Sequence, residues 1–178
     1  MKVNIWILFF MLSLCSCKKL FKDEEFSIKC VSYTGSELRI DGYYYLKRLS
    51  ANNKEIISYF IFYSNGVSTK GNVNTKNLND VESELATRSD NKYLPNNLYV
   101  WGPFSVHENK LIMQYYEPSD YLIKRIEEIS CTILNDSTFY LEETNLVYTG
   151  KAGRSFNTGE YHFKQFSPKP DSTNRFIP

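Results

Sequence analysis

Glu55-Ile56-Ile57-Ser58-Tyr59-Phe60-Ile61-Phe62-Tyr63, followed by Ser64-Asn65-Gly66 and then Val67, decides the fold class of this chain. The run is rich in β-branched and aromatic residues and short for a buried helix, so it reads as a strand. Apolar residues occupy both of its alternating faces, which requires cover on both sides. Asn-Gly between two apolar runs is a strong hairpin signal, and the expected tight turn needs positive φ at both positions.

Strand patterning continues in both directions. Over 38–49, Leu38, Ile40, Tyr44 and Leu46 share one face, and Gly42 on that face permits a bend or close packing. The period changes over 76–92, where Leu78, Val81 and Leu85 recur at helical spacing. Asn79 or Asp80 is expected to cap this helix, with Glu82 as a capping-box partner of Asn79. Leu94-Pro95-Asn96-Asn97 turns the chain into a strand over 98–107, in which Gly102-Pro103 marks a bulge or an edge. Turns at 108–110 and 117–120 bracket a strand over 111–116. The isoleucines of 121–134 suit a helix or a strand. The strand is preferred because Asn135-Asp136-Ser137 then makes a hairpin to 138–143. A glycine loop at 149–153 and a last strand at 161–166 follow. About eight strands at a spacing of ~8–12 residues predict a mainly β fold. The expected architecture is an antiparallel up-and-down β-barrel with one short helix near 78–90. At about eight strands, such a barrel is filled by side chains or holds one small ligand.

The N-terminal residues read differently. After Met1-Lys2 comes an apolar run over 3–14, broken only by Asn4 and Ser13, and then Lys18 and Lys19. Its length suits a secretory signal core of ~7–15 residues and falls short of the ~20 needed to span a bilayer. Leu14-Cys15-Ser16-Cys17 resembles a bacterial lipobox. The resemblance implies a signal peptide over 1–16 and acylation of Cys17, with chains such as palmitate. Two or more chains give stable anchoring. No Asp follows Cys17, which in such lipoproteins implies the outer membrane. The charged stretch after Cys17 reads as a solvated tether reaching to about 35. The barrel is expected over 36–167 and a proline-rich polar tail over 168–178.

Composition removes several functions. The chain has 178 residues with 21 basic and 20 acidic ones. Lys2 is the only charged residue of 1–16, so 21 − 1 = 20 basic and 20 acidic residues remain. That balance, with no basic stripe among the aromatics, gives no electrostatic case for nucleic acid. His107 and His162 lack a His-x-x-x-His partner, so no metal site is expected. Glu127-Glu128 and Glu142-Glu143 are adjacent on strands, where neighbours point to opposite faces and cannot converge on one bond. They are expected on a solvated outer face. Gly150-Lys151-Ala152-Gly153-Arg154 lacks the spacing of a phosphate loop and reads as a hairpin loop. No Gly-x-Ser-x-Gly elbow is present, and no cofactor motif is found. Cys30 and Cys131 remain after cleavage; they are either a disulfide or two buried thiols.

Tyrosine is the more informative residue. With 14 Tyr and 12 Phe in the chain, Tyr44, Tyr59, Tyr63, Trp101 and Tyr115 are the candidates for lining a ligand cavity. The plainer alternative is that they pack the barrel wall. Asp41-Gly42-Tyr43-Tyr44-Tyr45, Phe62-Tyr63-Ser64-Asn65-Gly66 and Trp101-Gly102-Pro103-Phe104-Ser105-Val106, with Tyr161-His162-Phe163-Lys164 and Lys169-Pro170-Asp171-Ser172, resemble small bacterial lipoproteins with a lipocalin-like domain. The resemblance covers roughly 36–175 in scattered pieces. Where typical lipocalins carry Gly-x-Trp on the first strand, this chain has Gly42-Tyr43-Tyr44. It implies a calycin-type barrel compatible with an apolar ligand. The expected protein is lipid-anchored and non-enzymatic, and binds a small apolar ligand or an envelope protein. The alternatives are a structural module of a surface complex or an envelope hydrolase. Acyl labelling is expected in the wild type and absent from Cys17→Ala; equal labelling of the two would refute the anchor.

Overall fold

The computed structural model describes residues 23–50, 52–90, 97–117, 124–149 and 158–177. The expected signal peptide, Cys17 and the 150–154 loop lie outside the described residues. The strands are β1 (Gly42–Leu49), β2 (Glu55–Phe62), β3 (Val67–Val73), β4 (Trp101–His107), β5 (Lys110–Glu117), β6 (Arg125–Asn135), β7 (Thr138–Leu146) and β8 (Gly159–Gln165). One helix, α1 (Leu78–Asp90), and a 3₁₀ turn (Leu98–Val100) lie between β3 and β4. Each strand pairs antiparallel with the next in sequence, and β1 pairs with β8, so the sheet closes into an eight-stranded up-and-down barrel. Closure leaves no exposed sheet edge. The ambiguous stretch before Asn135 is a strand, as preferred, because its alternate residues Ile129, Cys131 and Ile133 all enter the barrel core.

The β2 sequence shows how the layers arise. Ser58, Phe60 and Phe62 point into the barrel, and Ile57, Tyr59, Ile61 and Tyr63 point outward, yet all are buried. The outward set is covered by Val81 and Leu85 of α1, by Trp101, and by Phe166, Phe176 and Ile177 near the C-terminus. The molecule therefore has two cores, one inside the barrel and one between the wall and its cover.

Several local expectations give way to specific geometry. Only Gly66 (φ 81°) takes positive φ in the β2–β3 turn, not both Asn65 and Gly66. Gly66 N donates to Tyr63 O (3.1 Å), and Tyr63 N donates to Val67 O (3.0 Å), a wider hairpin that needs one left-handed residue. The α1 cap is Asn77, two residues before Asn79 and three before Asp80, the expected caps: its side chain accepts from Asn79 N (3.1 Å). β1 starts at Gly42, so Leu38 and Ile40 leave the strand and pack under the barrel core.

The described flanking segments 23–41 and 166–177 pack on the barrel, where a solvated tether and a polar tail were expected. Tyr33 N bonds Ser64 O (2.8 Å), and Arg39 N bonds Asp136 O (3.0 Å). Gln114 holds the N-terminal strap through Ser27 N (2.9 Å) and Ile28 N (3.2 Å). The tail returns to the barrel through Lys169, whose ammonium donates to Ile40 O and Phe62 O, and through buried Ile177. Alternating Phe26 and Ile28, and the Phe176-Ile177 pair, give these polar segments enough apolar surface to dock.

Gly102-Pro103 is where β4 changes partner. Trp101, Gly102 and Pro103 pair with β3, and Phe104 onward pairs with β5. Pro103 lacks the N–H a continuous ladder would need. Gly102 passes so close to β5 that a Cβ there would lie 1.9 Å from Gln114 O and 2.7 Å from the Tyr115 ring. Gly102→Ala is expected to cost about 1–3 kcal/mol in urea unfolding, because backbone must move. Gly35→Ala is expected to cost less than Gly102→Ala, because a Cβ there meets the side chains of Glu37 and Tyr33 and no backbone atom. Equal costs would contradict the tight β4–β5 approach.

Candidate functional site

The barrel interior is divided along its axis. The end holding the β2–β3, β4–β5 and β6–β7 hairpins is closed by Leu38, with Tyr33 and Ile40 packed against it. Above them lie Tyr44, Phe62, Phe104 and Phe139, then Phe60 and Tyr161. Phe139 and Tyr161 stack at 5.1 Å and 9°, and Phe60 meets Tyr161 edge-on at 5.1 Å. Such pairs each add roughly 0.5–1.5 kcal/mol beyond their burial. These rings fill the closed half.

The half away from Leu38, called the open half below, has polar inward side chains; the connections 118–123 and 150–157 at its end lie outside the described residues. Successive inward positions of β3 are Ser68, Lys70 and Asn72, and of β1 Tyr44, Leu46 and Arg48. The Lys70 ammonium donates to Glu127 Oε2 at 3.2 Å, with side chains 8% and 0% exposed. It also sits 4.3 Å from the centre of the Tyr115 ring. Burial pulls the Lys70 pKa down, and the charges of Glu127 and then Glu117 oppose that shift. Glu117 is itself buried and shares the lumen. Nearby, Arg48 Nε donates to Ser58 Oγ (2.9 Å), and Ser58 Oγ donates to Asn72 Oδ1 (2.6 Å). Ser68 Oγ donates to Gly102 O (3.0 Å), which leaves the Tyr115 hydroxyl to donate to Ser68 Oγ at 2.7 Å. Burial raises the Tyr115 pKa far above its ordinary value, so it stays a neutral donor.

The five aromatic candidates do not share one chamber. Tyr44 and Tyr115 point into the barrel, and Tyr59, Tyr63 and Trp101 lie in the outer core. Tyr44 locks the closed end: its hydroxyl donates to Asp136 O (2.6 Å) and accepts from Arg39 N (2.9 Å). Tyr63 packs 6.0 Å from Trp101 and beneath the Lys169 ammonium, 4.6 Å from its ring centre. A one-residue offset separates the two groups, since alternate strand positions face opposite sides. Only Tyr115 belongs to the polar half of the lumen.

Other sequence candidates resolve by the same alternation. Glu127 and Glu128 do point to opposite faces, but Glu127 is inside the barrel and fully buried, not on the solvated face expected. Its outward neighbour Glu128 accepts from Gln114 Nε2 (2.7 Å). Glu142 is exposed, and hydrogen bonds from Thr132 and Lys110 hold its pKa down. Cys30 and Cys131 are both free thiols, one in the outer layer and one in the barrel core, with the wall between them. Burial raises both thiol pKa values. His162 lies 3.9 Å from Glu160 on the exposed surface. Among the described residues no group of three or more His, Cys, Asp or Glu could hold a metal.

Sequence reasoning missed Lys70. The signal was present: Lys70 shares a strand face with Ser68, whose β2 partner Phe62 faces the core. A second feature lies outside the barrel. A groove of about 470 Å³ runs between the strap and the tail, lined by Phe26, Ile28, Cys30, Tyr116, Phe176 and Ile177. The closed eight-stranded barrel is compatible with a lipocalin-like fold. Comparison with protein-family models, curated proteins and solved structures finds no match.

Removing one partner of a buried pair leaves an uncompensated charge, at about 3–5 kcal/mol. Lys70→Met and Glu127→Leu are each expected to destabilise on that scale in chemical unfolding. The double variant is expected to be more stable than either single one. Additive losses would show that the two charges are not coupled.

Proposed function

We propose that this chain is a cell-envelope lipoprotein, anchored through Cys17 after removal of 1–16. Its barrel is a non-enzymatic binding domain, held at the outer membrane. The ligand is small and largely apolar, with one polar end. It is received in the open half of the lumen, with its polar end toward Lys70, Glu127 and Arg48 and its apolar body against Tyr115 and Tyr161.

The Lys70–Glu127 pair carries this reading. A buried ion pair contributes little net stability, and apolar residues of similar volume often serve a core better. Its retention beside two further charged side chains, Glu117 and Arg48, fits a site whose polar groups orient a ligand. The filled closed half sets the depth, so a long chain inserted along the whole axis does not fit. A second reading has its own observation: the external apolar groove of about 470 Å³ suits a protein partner or an apolar ligand at the wall.

Mass spectrometry of organic extracts from the full-length protein, purified from membranes in mild detergent, tests the lumen reading. A small molecule of reproducible mass is expected with the wild type. It should be depleted from a Lys70→Met/Glu127→Leu variant that keeps the wild-type circular dichroism. Equal recovery from both proteins would move binding to the external groove, and recovery from neither would sink the ligand reading.

A further inference from the structure

The N-terminal strap leaves the barrel at a defined place. Glu24 N donates to Lys124 O (3.0 Å), Lys124 N to Asp23 Oδ1 (3.0 Å), and Ile126 N to Glu24 Oε2 (2.6 Å). An ion pair between Arg125 and Glu24 at 3.4 Å adds to the clamp. Lys124, Arg125 and Ile126 are at the start of β6, and β6 ends in the β6–β7 hairpin of the closed end. The strap is therefore fastened at the open end.

From these observations we infer that the open end of the barrel faces and touches the bilayer that holds the Cys17 acyl chains. The inference rests on the lipid anchor proposed above. Asp23 follows Cys17 by 23 − 17 = 6 residues. Fully extended, that length reaches at most about 20 Å. Strands of seven to eleven residues, tilted as in a barrel, separate the two ends by about 18–28 Å. With the closed end down, the tether would be exhausted before crossing a headgroup layer roughly 5–8 Å thick. Lying on the β6 side of the strap would offer the lipid the polar Glu128, Ser130 and Thr132; lying on its other side would offer the groove of Phe26, Tyr116, Phe176 and Ile177 and would bring the two barrel ends to equal depth.

The rim itself suits a lipid surface. Leu49, Val147 and Tyr148 are 59%, 50% and 61% exposed at the open end. The Arg125 guanidinium lies 4.4 Å from the Tyr148 ring centre, an apolar body with a charged tip. Lys47, Lys54, Lys76 and Lys124 are exposed around it, as are Glu55 and Glu160, so the rim has mixed charge. Val31 and Leu134 are also exposed, toward the closed end. Apolar exposure alone does not choose an end; the tether does. The half of the lumen that carries Lys70 and Glu127 thereby faces lipid and not the aqueous side.

Depth-dependent quenching on the full-length lipidated protein tests this. Leu49→Cys and Asp136→Cys, each in a Cys30→Ser background, are labelled with a fluorescent maleimide. They are reconstituted in phosphatidylethanolamine–phosphatidylglycerol vesicles carrying a headgroup nitroxide. Circular dichroism confirms folding of each. Quenching is expected to be several-fold stronger at position 49 than at position 136. Equal or reversed quenching in protein that floats with the vesicles would overturn the orientation alone. Protein that fails to float would overturn the anchor, and the orientation with it.

Discussion

Closure of eight strands on themselves is the constraint from which the rest follows. Once β1 pairs with β8, the interior has a fixed width, and every second residue of every strand must go into it. In the closed half those residues are apolar, with Tyr44, Phe60, Phe62, Phe139 and Tyr161 packed among Leu111, Ile133 and Leu141. In the open half the same geometry brings Lys70, Glu127, Glu117 and Arg48 into a space where charge is expensive. The division of the lumen is thus a consequence of side-chain order along the strands.

The outer layer answers a second demand. Apolar residues on the outward face of β2 would be exposed on a bare barrel. They are covered by α1, Trp101 and the C-terminal segment, while the N-terminal strap crosses β5 through Gln114 and closes the end through Leu38. Short polar segments at both termini are therefore part of the folded domain. That matters for function, because it fixes where the chain emerges relative to the lumen.

The fold was legible in sequence wherever period and turn chemistry agreed. The β-branched and aromatic run over 55–63 with its Asn65-Gly66 turn, and the helical spacing of Leu78, Val81 and Leu85, led directly to β2 and α1. What escaped was long-range. Residues 24–35 carry Phe26 and Ile28 and residues 168–177 carry Phe176 and Ile177, and neither segment has a strand or helix pattern that would announce where these side chains dock. The candidate site was less legible. The five aromatic candidates were grouped by type, whereas strand parity divides them between lumen and wall. Lys70 and Glu127 are 57 positions apart and read singly as surface charges. Only the β3 and β6 registers place both inside.

The protonation state of the buried Lys70 is the most direct point of contact with experiment, because burial lowers its pKa while the Glu127 charge opposes the shift. Nitrogen-15 NMR of the lysine side chains, with Lys70→Met to assign the signal, reports it. A Lys70 ammonium resonance that exchanges slowly with water and is perturbed by Glu127→Gln is the expected result. A Lys70 signal that exchanges as fast as those of the exposed lysines, indifferent to Glu127→Gln, would contradict a buried charged pair in the barrel.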